Sequence, residues 1–198
     1  MSINIKTLAV AGIGVAIHAM RNPYDSWSKS DTRQGKVGEA DKALSERLSN
    51  AGTEHCKHLR LCMVWAEIEA PLYWWKEFDT YRMGVEKLSC STMHTITKQP
   101  FTSDMFTGNV DRAMINWLEL QRGFYLAAET EERKYTYWRN IIENLPSGFI
   151  QRRTVMMSYA ALRQICKQRK GHKLTEWHDF RKWAFTLPES WMIGGNAE

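Results

Sequence analysis

Cysteines are few in this sequence, and their spacing shows no structural framework. The four cysteines include no C-x-x-C pair: Cys56, Cys62, Cys90 and Cys166. The pattern excludes a disulfide-stabilised scaffold of the small secreted type. We therefore expect reduced thiols in a cytoplasmic protein.

Long apolar segments are also absent. The one apolar run that could be a targeting signal, Leu8 to Met20, contains Gly12, Gly14 and His18 and ends without a small-x-small cleavage site. It is shorter than the roughly 20 residues that a membrane-spanning helix needs. We expect no membrane segment. Because no repeat, low-complexity tract or linker divides the 198 residues, we predict a single domain over residues 1–198.

The composition is that of a globular protein. Hydrophobic residues make up 43% of the chain and charged residues 25%, which excludes wholesale disorder. Nine tryptophans and ten methionines indicate an aromatic-rich core or a contact surface.

Positive charge is concentrated towards the end of the chain. The net charge is +5, yet residues 150–183 alone carry nine Lys or Arg and two acids. A basic segment on a near-neutral body suggests a partner that bears phosphate.

Hydrophobic periodicity predicts an α+β domain with two or more strands among several helices. A polar stretch from Arg21 to Gly38 is predicted to be a long mobile loop of the kind that often binds ligands. The predicted strands are Ile3–Val10 and Leu59–Ala70; the predicted helices are Gly12–Met20, Asp41–Asn50, one that Pro71 opens, Val110–Ala128, Glu131–Asn144, one from Pro146 to about Gly171, and a short one that Thr175 caps.

The helix predicted after Pro146 carries one stripe of side chains that ends in an arginine. The stripe, spaced 4, 3, 4 and 3 residues apart, is Val155, Tyr159, Leu162, Cys166 and Arg169. An arginine at the end of an apolar face needs partners for its five donors. Two interpretations stay open: Arg169 reaches water or a carboxylate, or it contacts an anionic or carbonyl-rich ligand.

Other motifs are weaker signals. The segment from His55 to His58 has metal-ligand residue types but no second pair at a suitable spacing, so we expect no metal site. Gly12-x-Gly14 follows a predicted strand but lacks the third glycine of a dinucleotide fingerprint. The aromatic run from Tyr73 to Phe78 is more typical of a core or a subunit interface than of a binding site.

One stretch resembles a known family. The segment Ala70–Arg82 (APLYWWKEFDTYR), followed by Leu88–Ser91 (LSCS), is similar to the core of flavin-dependent thymidylate synthases. That family has a strand, a helix with an Arg-Gln pair, the signature R-H-R and a loop with S-x-R. Leu44–His58 resembles its upstream helix and F-E-H triplet, and Leu145–Trp177 resembles its L-P…R…H-A-Q-W-E ending. The resemblance implies a small antiparallel sheet with several helices.

The signature is only partly retained. Thr80 and Tyr81 stand where the family has Arg and His, and only Arg82 survives from R-H-R. Lys76-Glu77 replaces the Arg-Gln pair, and Ser91 stands in place of the second arginine. At position 77 a carboxylate would repel a phosphate, or accept from a base or a ribose hydroxyl.

The resemblance also implies site residues and ligands. The nucleotide-binding residues that it implies are Glu77, Arg82, Ser89, Ser91 and Arg169; the residues that it implies for the cofactor FAD are His58, Tyr81 and Arg82. No catalytic residue is assigned, because in this family the flavin carries the hydride and the protein binds and orients.

Three functions are consistent with these observations. The first is methylation of deoxyuridine monophosphate or a related pyrimidine, with FAD, methylene-tetrahydrofolate and a nicotinamide reductant, in a homotetramer with sites between subunits. The second is an inactive relative that binds or sequesters a nucleotide or a nucleotide-derived signal, a role that would suit a protein encoded by a virus such as a phage. The third, ranked last, is nucleic-acid binding through Arg152–Lys182 with Trp177 and Trp183 interleaved.

Overall fold

The centre of the molecule is a four-stranded antiparallel sheet with the strand order β1-β2-β4-β3. It is seen in a computed structural model that describes residues 3–194. The strands are β1 (Asn4–Ala11), β2 (Met63–Pro71), β3 (Val85–Ser89) and β4 (Ile150–Ser158). Residues 1, 2 and 195–198 of the predicted domain lie outside the described residues.

Eight α-helices accompany the sheet within residues 3–194. They are α1 (Ile13–Ala19), α2 (Glu39–Asn50), α3 (Leu72–Phe78), α4 (Thr92–Thr95), α5 (Arg112–Ala127), α6 (Glu131–Asn144), α7 (Tyr159–Gln168) and α8 (Thr175–Ala184). The α+β class and the antiparallel sheet are therefore confirmed. None of the helices in this part of the chain is long and apolar enough to cross a membrane.

One face of the sheet forms the main core. Side chains at alternate positions of the two central strands are fully buried, as the period of a strand requires: Val64, Ala66, Ile68, Val155 and Met157. A second, smaller core lies under the α5–α6 pair around Leu118 and Ile141. The first core carries the residues that position the site described below.

The helix predicted from Pro146 to Gly171 is wrong in its first half. Ile150–Ser158 is the strand β4, and only Tyr159–Gln168 is helical. The stripe therefore begins at Tyr159, since Val155 lies on the sheet. Arg, Met and Gln favour helices in isolation, but pairing with β2 on one side and β3 on the other overrides that preference.

Smaller corrections apply to other elements. β2 begins at Met63 and not Leu59, because Cys56–Arg60 forms a 3₁₀-helix. β3 lies where the sequence indicated no strand. The residue at the N-cap of α8 is Leu174, with no side-chain capping bond, so Thr175 is the first helical residue and not the cap.

Gly12 has a structural role at the junction of β1 and α1. Its φ of +88° lies in the left-handed region, and a Cβ there would lie 2.0 Å from the carbonyl oxygen of Leu61. Gly14 has open space around its Cα. The G-x-G pattern is therefore explained by packing of the chain at its first glycine.

Candidate functional site

An ion pair joins the end of α7 to α3. Arg169, the C-cap of α7, donates from Nη1 to Oε2 of Glu77 at 2.9 Å. Both side chains are partly buried, with 16% of Arg169 and 33% of Glu77 exposed. The carboxylate interpretation of Arg169 is therefore what the structure shows, and the partner is the residue that replaces the family glutamine.

Aromatic and imidazole groups complete this Glu77–Arg169 cluster. Trp177 donates from Nε1 to the same Oε2 at 2.8 Å, and its ring lies 4.4 Å from the Arg169 guanidinium carbon. Arg169 Nε donates to the Tyr81 hydroxyl at 2.9 Å. A guanidinium held between aromatic faces and a carboxylate has little freedom to move.

His172 lies beside this ion pair. Its Nδ1 lies 3.1 Å from the backbone nitrogen of Leu174, and its Nε2 lies 3.0 Å from Arg169 Nη1 and 3.4 Å from Glu77 Oε2. Two N–H donors, from Arg169 and Trp177, therefore converge on one carboxylate oxygen, with the His172 ring next to them.

A second ionic group holds the end of α3 against the sheet. Asp79 lies 2.9 Å from Lys87 on β3 and accepts from Arg153 Nη1 on β4 at 2.9 and 3.0 Å. The Arg153 guanidinium also lies over the Trp75 ring at 4.3 Å. Burial raises the pKa of Asp79, but the bonds from Lys87 and Arg153 outweigh it and lower that pKa overall. These contacts hold the C-cap of α3, which lies between Glu77 on the last turn of the helix and Tyr81 just after it.

A cavity of about 620 Å³ lies beside the cluster. It is lined by Tyr73, Glu77, the loop 107–109, Leu174, Thr175 and Glu176. Glu176 is buried and accepts a hydrogen bond from the Tyr73 hydroxyl, which with burial raises the pKa of Tyr73. Among the residues that the structure describes, no cationic side chain lines this cavity, so a phosphate would be disfavoured in it.

A larger groove of about 1420 Å³ runs along α7. The charged side chains that line it are Glu46, Arg60, Arg163, Lys167, Lys170 and Arg181. Five cations against one acid make this groove suitable for phosphate groups. Its wall includes Cys56 and Met83. These residues are close in sequence to His58 and to Tyr81 and Arg82, which the resemblance assigns to the flavin.

The other predicted site residues lie elsewhere. Arg82 and Ser89 are exposed, on the turn before β3 and at the end of β3, and Ser91 is the N-cap residue of α4. Within residues 3–194 their side chains form no hydrogen bond to the Glu77–Arg169 cluster. Of the predicted set, the structure brings together Glu77, Tyr81 and Arg169.

His58 faces the interior. Its Nε2 lies 2.8 Å from the Ser45 hydroxyl of α2, and burial lowers its pKa. In the described part of the chain, Cys56 and Arg60 of the same segment line the groove and His58 does not. Its predicted contact with a flavin stays a prediction.

The loop from Arg21 to Gly38 is fastened to the start of α2. Buried Asp41 accepts from Arg21 Nε at 2.6 Å, from Ser30 at 2.6 Å and from the Thr32 hydroxyl at 2.7 Å. Burial raises the pKa of Asp41, but these bonds outweigh it and hold that pKa at about 2. Hydrogen bonds to Asp41 therefore hold the loop at its first residue, Arg21, and near its middle, at Ser30 and Thr32. The polar composition of the loop had suggested a mobile segment without such contacts.

Two tryptophans considered for nucleic acid are engaged within the protein. Trp177 is fully buried, so its ring does not lie on the surface between the basic side chains. Trp183 donates from Nε1 to the Thr7 hydroxyl at 2.9 Å. Arg152 and Arg153 are paired with Glu69 and Asp79.

In residues 3–194, no group of three His, Cys, Asp or Glu side chains is placed to hold a metal ion.

His172 and Trp177 were not among the predicted site residues, although both fell in the segment that resembles the family ending. Their distances from Arg169 along the chain, three and eight residues, indicated nothing by themselves. The turn between α7 and α8 brings both residues back onto Glu77. This proximity depends on the tertiary structure and not on the spacing of the residues in the sequence.

Comparisons with known proteins agree with this architecture. No family model and no curated protein matches the sequence. Solved structures do match in fold, among them two of the flavin-dependent thymidylate synthase ThyX from Helicobacter pylori with FAD and dUMP. One has a TM-score of 0.73 at 20% identity, covering 97% of this chain and 96% of that one; the other has 0.74 at 17%, covering 96% and 97%. The chain therefore has a ThyX-like fold over nearly its whole length.

Proposed function

We propose that this protein binds a pyrimidine nucleotide beside Arg169, binds FAD in the basic groove, and methylates the base in a flavin-dependent reaction. The observation that carries the proposal is the Glu77–Arg169 cluster. It places a fixed guanidinium, a carboxylate and two aromatic rings next to a cavity. The ThyX-like fold supports it, since the matched structures hold FAD and dUMP.

The groove fits a dinucleotide cofactor in size and charge. Its volume exceeds the roughly 300–1,000 Å³ of ordinary small-molecule pockets. Lys167, Lys170 and Arg60 would hold the pyrophosphate, as cations do for phosphate oxygens. When bound, the flavin supplies the hydride.

The residues of this chain bind and orient. Arg169 would donate hydrogen bonds to a polar edge of the base and so orient it. The hydrogen bond from Arg169 to the Tyr81 hydroxyl would keep the base next to the segment Thr80–Arg82. The fully buried Trp177 ring covers one face of the Arg169 guanidinium and keeps water away from that face. A guanidinium held in place in this way loses little side-chain entropy when a ligand binds.

The arrangement also supports a second candidate function, binding without turnover. Glu77 already forms an ion pair with the guanidinium of Arg169, the group that the resemblance assigns to nucleotide binding. Thr80 and Tyr81 also remove two proton-carrying groups of the family signature. Such a chain would sequester a nucleotide and leave it unchanged.

One pair of measurements tests both. Purified protein is saturated with FAD, and binding of pyrimidine nucleoside monophosphates is followed by calorimetry. The same sample is then given methylene-tetrahydrofolate and a nicotinamide reductant, and methylated nucleotide is quantified. Binding with product supports the enzyme, and binding without product supports the second candidate. Absence of nucleotide binding would contradict both.

Assembly is part of the proposal. The resemblance implies a homotetramer with sites between subunits, and Arg82 and Ser89 lie exposed away from the Glu77–Arg169 cluster of their own chain. Residues so placed would reach a nucleotide held by another copy. Light scattering at several protein concentrations gives the mass directly, and a monomer at all of them would contradict this part of the proposal.

A further inference from the structure

We propose that the 620 Å³ cavity beside the Glu77–Arg169 cluster is a binding site for a small organic cation with N–H donors, such as an amidinium, a guanidinium or a primary ammonium group. The inference goes beyond the proposed function and does not depend on it, because it concerns neither the nucleotide nor the flavin. Two carboxylates, their unused oxygens and the size of the cavity point to this class of ligand.

The charged side chains on the cavity wall are both acidic. Glu77 and Glu176 line it, and no lysine, arginine or histidine of the described residues does so. The neutral polar side chains on the wall are those of Tyr73, Thr107, Asn109 and Thr175. Arg169 offsets the charge of Glu77, but Glu176 has no ion-pair partner within residues 3–194. The cavity therefore favours a cation over a neutral molecule or an anion.

Glu176 is the more buried of the two carboxylates. The residue is 7% exposed, and the Tyr73 hydroxyl donates to its Oε1. Its Oε2 accepts no hydrogen bond from the part of the chain that the structure describes. A buried carboxylate oxygen without a donor has lost water and gained nothing in exchange. A cationic donor in the cavity would offset that cost.

Glu77 has a second unused oxygen. Its Oε2 accepts from Arg169 at 2.9 Å and from Trp177 at 2.8 Å, whereas no donor among residues 3–194 reaches its Oε1. Since Glu77 is one-third exposed and lines the cavity, Oε1 is available to a ligand there. Ionised carboxylates accept and do not donate, so a ligand of this cavity needs N–H or O–H donors. Donors that carry positive charge form hydrogen bonds roughly twice as strong as neutral ones.

The size of the cavity favours an organic molecule over a metal ion. About 620 Å³ lies within the range of roughly 300–1,000 Å³ that is usual for small-molecule pockets. No three His, Cys, Asp or Glu side chains are grouped to hold a metal ion anywhere in residues 3–194. Leu174 and the ring of Tyr73 add apolar surface to the wall, which suits a cation with a short apolar body.

Three probes of similar shape and different charge test the inference. Benzamidine is a cation at neutral pH, benzamide is neutral and benzoate is an anion. Calorimetry of the purified protein, without FAD or nucleotide, measures their binding. We expect benzamidine to bind about tenfold or more tightly than benzamide, because its hydrogen bonds to the carboxylates are charge-assisted. Benzoate should not displace bound benzamidine.

Two variants locate the bound cation. Glu176→Gln keeps the volume and an acceptor for Tyr73 but removes the charge, and should raise the dissociation constant of benzamidine about tenfold or more. Glu86→Gln, an exposed glutamate on β3, is the matched control and should leave that constant unchanged. Gly108→Leu adds a side chain at the cavity wall, where a Cβ meets nothing within 4 Å, and should weaken benzamidine and benzamide alike.

Several results would overturn the inference. They are absence of benzamidine binding, equal affinities for benzamidine and benzamide, and displacement of benzamidine by benzoate. Equal losses in Glu176→Gln and Glu86→Gln would do the same, since the probe would then respond to surface charge in general.

The Gly108→Leu variant keeps the test decisive even if Glu176→Gln fails to fold. Benzamidine binding that this variant leaves unchanged would place the probe outside the cavity and overturn the inference. None of these titrations contains FAD or a nucleotide, so their failure would leave the proposed function to its own measurements.

Discussion

Arg169 Nη1 lies 2.9 Å from Glu77 Oε2. This ion pair joins the C-cap residue of α7 to the last turn of α3, two positions that are 92 residues apart in the sequence. The pair is closed on one side by the Trp177 ring and on another by the Tyr81 hydroxyl. The carboxylate neutralises the guanidinium without burying it fully. We therefore expect this pair to favour polar edges of a ligand over free anions.

Removing the guanidinium should weaken nucleotide binding. In Arg169→Ala, we expect the dissociation constant of the bound pyrimidine nucleotide to rise about 10- to 100-fold, since hydrogen bonds to charged groups contribute roughly 1.5–3 kcal/mol. Calorimetry with FAD-saturated protein measures the change. Lys182→Ala removes an exposed cation from α8 and should leave the constant unaltered. Equal losses in the two variants would show that general charge, not the cluster, attracts the nucleotide.

Asp41 should make the stability depend on pH in the acid range. Its pKa is lowered from 3.8 to about 2 in the folded protein, so the group contributes roughly 2 kcal/mol above about pH 5. This contribution is lost as the pH falls through about 4 towards 2, because protonation then becomes as favourable in the folded state. Urea unfolding between pH 6 and pH 2 measures the slope.

The variant Asp41→Asn sharpens this test. It leaves the Arg21 guanidinium buried without its counter-charge, and we expect a loss of about 3–5 kcal/mol in the free energy of unfolding at neutral pH. The pH slope below 5 should shrink. Asp25→Asn is the matched control, because Asp25 is exposed with a φ of 46°, a conformation that asparagine adopts readily. A slope unchanged by Asp41→Asn would contradict the prediction.

The two glycines near the start of α1 should respond to alanine in opposite directions. Gly12→Ala places a Cβ 2.0 Å from the Leu61 carbonyl at a left-handed φ, and should cost about 2–5 kcal/mol. Gly14→Ala meets nothing within 4 Å inside a helix and should stabilise the protein by about 0.5–1 kcal/mol. Thermal unfolding of both variants gives the comparison. Similar behaviour of the two would mean that the turn at Gly12 tolerates a side chain.

The cysteines should differ in reactivity. Burial raises the pKa of the Cys62 and Cys166 thiols to about 12, whereas Cys90 is exposed. At pH 8 iodoacetamide should alkylate Cys90 readily and leave Cys62 and Cys166 unmodified until denaturant is added. Peptide mass spectrometry identifies the modified thiols. Rapid alkylation of Cys166 without denaturant would contradict the packing of α7 on the main core.

The sequence could predict the elements whose own residues decide their structure. The bounds of α6 match the prediction from Glu131 to Asn144, because Thr130 caps it and Pro146 follows its end. β4 could not be predicted in this way. Its residues suit a helix as well as a strand, and only pairing with β2 and β3 decides between them.

The site divides in the same manner. Arg169 was identified because an arginine at the end of an apolar stripe needs partners, and Glu77 because it departs from a family pattern. The convergence of Trp177 and His172 on Glu77 depends on the turn after α7, which no local pattern encodes. The fastening of residues 21–38 to Asp41 also depends on contacts distant in sequence.

The most direct test of the whole account is equilibrium dialysis of the purified protein against FAD, read by the visible absorption of the flavin retained. We predict retention of one flavin per chain, and its loss in Lys167→Glu/Lys170→Glu, which reverses two charges of the basic groove. A protein that stays colourless at all FAD concentrations would contradict the flavin-dependent function. Equal retention by wild type and the charge-reversal variant would contradict the groove as its site.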